Sequence, residues 1–436
     1  MSTWQDLVTA SLIGTERSAV PPVAVPGVPT PADAPADPAA ILLDRAALLT
    51  VARRGGRPPE HAEPLPAAEP DPAPAVSPAA GHRLARMLGG EHPDLLAEWL
   101  SAAVTRGLRV PAHLLPALLD RARRVSPTGP ELRRLAAEAG GSRARWLAGL
   151  NPDWAFVTVR ALHGDDAWRL GDAAQRRSYL DALRARDPDA ARELIIASWD
   201  AAGPERVMFL TVLADGLSPA DEPLLESALD DRAAEVYGRA AYLLARLPGS
   251  ALGQRMAERA LGCLRIEGDA QGTRLITIPP ARCDADMRRD GITPRPGGGS
   301  AQLDDRTHLM LEVLARTPLR TWTDEFGRSA EQILAVPLGG WAPVLFTGWA
   351  RAAMAQRDQE WMAALISLAL ADGPPGTMYG VETLRQLIRR ADPALGAPGV
   401  MPDPEPGAPA ALAGAVGVLR FRYDMLKELD DDHGAG

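Results

Sequence analysis

Glu222-Pro-Leu-Leu-Glu-Ser-Ala-Leu-Asp-Asp-Arg-Ala-Ala-Glu-Val-Tyr-Gly-Arg-Ala-Ala-Tyr-Leu-Leu-Ala-Arg-Leu247 is the stretch that decides the fold. Leu225 and Leu229 fall on one face of a first helix, and Asp230-Asp231 make a polar turn. Val236, Ala240, Ala241 and Leu244 then recur at helical spacing on a second helix. Shifting the chain by thirty residues superposes Leu194 on Leu224, Trp199 on Leu229, Leu213 on Leu243 and Leu217 on Leu247. A helix–turn–helix unit of this size cannot bury both apolar faces alone, so the repeat predicts stacked neighbours.

The same texture extends in both directions. Apolar-periodic runs cover 94–106, 112–124, 131–139, 173–186, 189–201, 205–217, 220–230, 233–247 and 251–265. Pro93, Pro111, Pro130, Pro188, Pro204 and Pro219 stand at or just before the start of a run, where a missing N–H costs little. Further runs cover 303–314, 329–336, 341–355, 359–371 and 381–390, and a last helix is expected over 410–429. The one β-branched run is Thr273-Arg-Leu-Ile-Thr-Ile278. The expected organisation is a first helix in 1–17, a Pro-rich linker over 18–40, an isolated helix at 41–55 and a second linker over 56–81. A helical-repeat region over 82–278, an irregular loop over 279–302 and a second helical region over 303–391 follow. A Pro/Gly linker at 392–409 and a helix with an acidic tail at 410–436 complete it. Seven prolines in 18–40 and eight in 56–80 are what mark the first two linkers as extended.

Bulk composition removes several classes of function. The 436 residues carry a formal charge of −9, and their 47 basic residues include a single lysine, Lys427. A P-loop needs Gly-Lys-Ser/Thr after a strand, so Gly297-Gly-Gly-Ser300 is not one and the chain is not a P-loop ATPase. No Gly-x-Ser-x-Gly elbow and no His-Glu-x-x-His pair occur. Cys263 and Cys283 cannot make a disulfide framework or a four-thiolate zinc site. The opening Met1-Ser-Thr-Trp-Gln-Asp6 lacks a basic segment followed by an apolar one, and no apolar run is long enough to span a bilayer. A cytoplasmic protein with no membrane contact and no cofactor is expected.

Two surfaces are candidates for interaction. Asp284, Asp286, Arg288, Arg289 and Asp290 alternate in sign within the 279–302 loop, and the carboxylates alone offer a metal-dependent enzyme as one alternative. Residues 81–150 carry a formal +5, including Arg121, Arg124, Arg134, Arg143 and Arg145, whereas 187–290 carry −6. Trp322, flanked by Thr321, Thr323 and Asp324, reads as an exposed anchor.

Residues 187–248 resemble HEAT repeats, although that family's Arg usually follows the Val directly, whereas Tyr237 stands here and Arg239 lies two further on. The helical runs give an all-α fold, the composition gives Pro/Ala-rich flexible linkers near the N-terminus, and the resemblance implies a HEAT-like helical-repeat array (α-solenoid). The basic Trp-bearing face also resembles helical alkyl-base DNA glycosylases, which makes DNA binding an alternative, with Trp199-Asp200 nominated for the acid. More widely, Trp4-Gln-Asp-Leu-Val…Ile13-Gly-Thr-Glu-Arg17, the 187–247 block and Arg289-Asp-Gly-Ile292 resemble an uncharacterised bacterial family. Its members are often encoded beside MoxR-type AAA ATPases, von Willebrand A-domain proteins and SWIM zinc-finger proteins. What this resemblance implies is a protein partner in such a system, an AAA ATPase or a von Willebrand A-domain protein. The function expected is a non-catalytic scaffold or adaptor, with nucleic acid not the expected partner.

Overall fold

The computed structural model describes residues 4–25, 37–55, 65–124, 130–158, 165–269, 272–293, 305–373, 378–400 and 410–433. The 297–300 glycine run and parts of all three Pro-rich linkers lie outside these. The chain forms two compact units, 1–67 and 68–436. In the first, α1 (Trp4–Ile13) packs on α2 (Pro38–Gly55). Arg45 donates to the carbonyls of Val20 and Pro21, and Arg53 lies over the Trp4 ring.

The second unit is an all-α helical array. It opens with an extended strap leading into α3 (Pro78–Leu88), α4 (Leu96–Thr105), α5 (Leu115–Arg124) and α6 (Pro130–Leu150). These helices bury Leu84, Trp99, Leu100 and Leu118 in a first core. The strap belongs to the stretch expected as linker, yet it is pinned. Ala75 bridges Arg109, and the Asp71 carboxylate accepts from the backbone N–H of Ser142 and Ala73 and from the Arg109 guanidinium. Burial opposes ionisation of Asp71, but these donors outweigh it and hold the carboxyl below its ordinary value. α6 breaks at Gly141 (φ 58°, ψ −144°), where any Cβ would sit inside the Asp71 carboxylate, so only glycine admits the strap.

The array continues with α7 (Asp165–Leu170), α8 (Ala173–Arg186), α9 (Pro188–Ser198), α10 (Arg206–Leu213), α11 (Glu222–Ala228), α12 (Ala234–Leu244) and α13 (Ala251–Leu261). Pro93, Pro188, Pro204 and Pro219 lie at the starts of helical segments, and Pro111 immediately precedes one. Residues thirty apart share the second, larger core: Leu224, Leu229, Leu213, Leu243 and Leu247 are buried in it, with Leu194, Trp199 and Leu217 packed against them. A buried ion pair there joins α8 to the turn that leads into α11. Arg184 and Asp221 meet at 2.6 Å with side chains 1% and 0% exposed. Arg184 also donates to the carbonyls of Pro188, Asp215 and Gly216, so the buried charge is fully solvated by protein.

The run expected as helix to 265 stops at Leu261, because Gly262 ends it and the alternating residues beyond pair instead. β1 (Leu264–Asp269) and β2 (Gly272–Thr277) form an antiparallel hairpin, with Leu264 opposite Thr277. Next come α14 (Ala285–Arg289), α15 (Asp305–Arg316), α16 (Arg320–Phe326), α17 (Ala330–Leu334), α18 (Ala342–Gln356), α19 (Gln359–Asp372) and α20 (Met378–Arg390). Trp322 is not an exposed anchor. It is fully buried on α16, stacked on Phe326 and edge-on to Trp349, because helical spacing turns its polar neighbours outward and the indole inward. No helix among the described residues is long and apolar enough to cross a membrane.

The last helix, α21 (Ala410–His433), packs on α20 and also on α3 and α4. Its Leu412 and Leu419 enter the larger core, Phe421, Met425 and Leu429 enter the first, and Val418 touches both. Arg422, 5% exposed, is the centre of this junction. It forks onto the Glu98 carboxylate of α4 at 2.7–3.2 Å, while its remaining nitrogen donates to the carbonyls of Ile388 and Ala391 at the end of α20. A cation there also complements the helix dipole. Arg83–Glu428 and Arg106–Asp430 extend the seam. Replacing Arg422 with Ala should lower unfolding free energy by about 3 kcal/mol, since Glu98 and two buried carbonyls lose their donor. Urea denaturation with an unchanged m-value checks this, and a loss under about 0.5 kcal/mol would deny the junction its role.

Candidate binding cleft

Helical spacing brings one set of side chains together on neighbouring helices. On α15, Glu312, Ala315 and Arg316 follow at i, i+3 and i+4 on the side turned from buried Met310 and Leu314. Arg351, Met354 and Ala355 do the same on α18, and Gln386 and Arg390 on α20. With Tyr242 and Ala245 from α12 and the residue after it, they line a cleft of about 280 Å³. The small Ala245, Ala315 and Ala355 leave the space, and the arginines edge it. A second, more open cavity of about 450 Å³ shares Tyr242 and is lined by Val207, Ala234, Glu235, Gly238 and Arg239.

The cleft is positive. Glu312 is the one acid against Arg316, Arg351 and Arg390 in its lining. Its carboxylate receives Arg316 at 2.6 Å and Arg351 at 3.3 Å. Burial would raise the Glu312 pKa, but the charges and hydrogen bond of these arginines prevail and hold it below the ordinary 4.5. Arg316 also donates to the Gly291 carbonyl. Burial pushes the neighbouring Arg246 guanidinium below its ordinary value, and the charges of Arg357 and Arg390 act in the same direction. Arg390 and Arg357 make no ion pair among the described residues.

The residues singled out from the sequence lie elsewhere. In the 284–290 segment, Asp284 caps α14 by accepting from Met287 N–H, while Asp286 and Arg288 are exposed. Arg289 forks onto Asp230 of the turn after α11. Asp290, 1% exposed, is held between Arg255 and Arg259 of α13. Gly291, at φ 78°, passes so close to Ala241 that a Cβ would clash, and Ile292 beyond it is fully buried. Arg289-Asp-Gly-Ile292 therefore welds the segment to α11, α12 and α13. The three carboxylates do not converge, and no group of three His, Cys, Asp or Glu able to hold a metal gathers among the described residues.

Arg121 and Arg124 lie on α5, with Arg124 near Asp120. Arg134 pairs with Glu138 on the first half of α6, and Arg143 and Arg145 are exposed beyond its break at Gly141. Asp200 is exposed, and its carbonyl and that of Trp199 receive Arg206. Cys263 and Cys283 are free thiols, and burial pushes Cys263 up to about 11, far from a thiolate at neutral pH. None of the cleft residues carries a motif. Their only sequence signal is basic residues at helical spacing beside alanines, which 46 arginines spread through the chain conceal.

A family model matches residues 6–394. The chain belongs to DUF5691, a family of unknown function. The match includes every cleft residue and the 289–292 weld, and it ends before α21. No curated protein and no solved structure matches the chain.

The depressed pKa of Glu312 has a definite consequence. Its contribution to stability is complete above 4.5, the ordinary value, and is lost as pH falls through the lower folded-state value. The stability gap between wild type and Glu312→Gln should stay constant around neutral pH and narrow in acid below 4.5. A gap that does not change with pH would mean that Glu312 is not paired as described.

Proposed function

We propose that this DUF5691 chain is a non-catalytic helical-repeat scaffold or adaptor that holds a protein partner along the face formed by α12, α15, α18 and α20. The observation that carries this reading is the run of two adjoining cavities sharing Tyr242, on helices that present the same side in succession. Stacked helical units generate extended surfaces of this kind, and binding is their usual output. The HEAT-like reading draws support from the thirty-residue correspondence, whose members share one core. A cytoplasmic setting is part of the proposal, and a partner such as an AAA ATPase or a von Willebrand A-domain protein rests on the resemblance of the 4–17, 187–247 and 289–292 segments to the bacterial family described above. Fold alone does not decide function, so the surface itself must be tested.

A photo-crosslinking residue placed at Glu235 or Gln386, on the two cavities, should give one adduct of defined mass in cells of the source organism. The same residue at Arg265 on the hairpin should give none. Equal adducts from all three positions, or none from the cleft, would reject this face as the partner surface.

A further inference from the structure

The geometry points to an extended acidic peptide as what the cleft holds, its carboxylate side chains taken by Arg351 and Arg390; this names the chemistry of the partner and rests on the scaffold reading above. Both guanidiniums are exposed at the rim, Arg390 makes no ion pair among the described residues, and Arg351 gives only a 3.3 Å contact to Glu312. A planar guanidinium with free N–H groups binds carboxylate as a fork, which a point charge cannot do. The cleft, about 280 Å³, is at or below the range of about 300–1,000 Å³ in which small ligands and cofactors are enclosed. It is open, and suits one or two side chains of a longer chain. That chain has room to continue over Tyr242 into the second cavity, where Val207, Ala234 and Gly238 offer an apolar bed.

Nucleic acid fits less well. A phosphate backbone carries charge at every step, whereas Glu312 in the cleft and Glu235 in the adjoining cavity interrupt the positive field. A peptide can space its carboxylates to miss both. The net charge of −9 further disfavours indiscriminate polyanion binding, so an acidic ligand needs a local site.

The test uses the full chain and a fluorescein-labelled peptide of alternating Glu and Ala, read by fluorescence polarisation. Wild type should bind it, more weakly as salt rises, and should not bind the matching Gln–Ala peptide. The double variant R351Q/R390Q should weaken binding by about tenfold or more, as expected for loss of charged hydrogen bonds. R265Q/R274Q, which removes the same charge from the hairpin, should bind as wild type does. Thermal melting of R265Q/R274Q should match wild type, and R351Q/R390Q should keep a single cooperative transition that is lowered only slightly, because Arg316 still holds Glu312 when Arg351 is gone.

Unchanged affinity in R351Q/R390Q, or an equal loss in R265Q/R274Q, would overturn the proposal. So would single-stranded DNA or inorganic phosphate competing through Arg351 and Arg390 better than the peptide, which would assign the cleft to phosphate. If a cleft-crosslinked partner persists undiminished in R351Q/R390Q, the scaffold reading stands and the acidic-peptide assignment falls. Arg-dependent peptide binding with no crosslinked partner at either cavity would do the reverse.

Discussion

Arg422 joins parts of the chain that sequence distance keeps far apart. Its guanidinium holds Glu98 of α4 on one side and the terminal carbonyls of α20 on the other, and α21 carries apolar residues into both cores of the second unit. In a linear array each helical unit touches only its neighbours, and stability is nearly a sum of local terms. A final helix that packs on the first helices as well as the last couples those terms. Loosening α3 or α4 then exposes apolar surface of α21, and loosening α21 exposes the end of α20. The family match ends before α21, so this coupling is added to the matched region from outside it.

The same logic explains the use of arginine throughout. Arginine stays charged when buried and carries five N–H donors in one plane, so it can be satisfied by carbonyls and carboxylates together. Arg184 does this between helices in mid-array and Arg422 does it at the α21 junction, while Arg255 and Arg259 meet the Asp290 carboxylate. Where carboxylates and carbonyls of the chain take up these donors, arginine is structural. At the cleft the balance is different: three arginines face one glutamate. The formal charge of −9 says nothing of this, because charge becomes available to a partner only where the fold leaves it uncompensated.

Much of the fold was legible from local rules. Prolines at helix starts, apolar spacing along the runs and the thirty-residue correspondence all act within a few turns of helix, where sequence neighbours are spatial neighbours. The failures came where distant segments decide. Trp322 looks accessible among Thr321, Thr323 and Asp324, yet Trp349 and Phe326 cover it. The strap before α3 has the composition of a linker, yet Asp71 finds the N–H of Ser142, seventy-one residues on, through a break that only Gly141 allows. Arg289 and Asp290 look like an offered surface and are in fact committed to Asp230, Arg255 and Arg259. The cleft was invisible for a related reason. Tyr242, Glu312, Arg351 and Arg390 sit on four helices, and no pairwise spacing in the sequence relates them.

The position of Glu312 explains how such a cleft can be selective as well as attractive. It holds Arg316 at 2.6 Å and restrains the more exposed Arg351 through one longer contact, so part of the conformational entropy of the lining is lost before any ligand arrives. It also removes part of the positive charge, which weakens the pull on anions in general. Its depressed pKa keeps it ionised around neutral pH, so both effects are present together. The acidic peptide proposed for the cleft would have to bring its carboxylates to Arg390 and the free edge of Arg351 while keeping negative charge away from Glu312. That requirement is one of spacing, and it is met by a particular order of side chains along a peptide better than by a uniformly charged polymer.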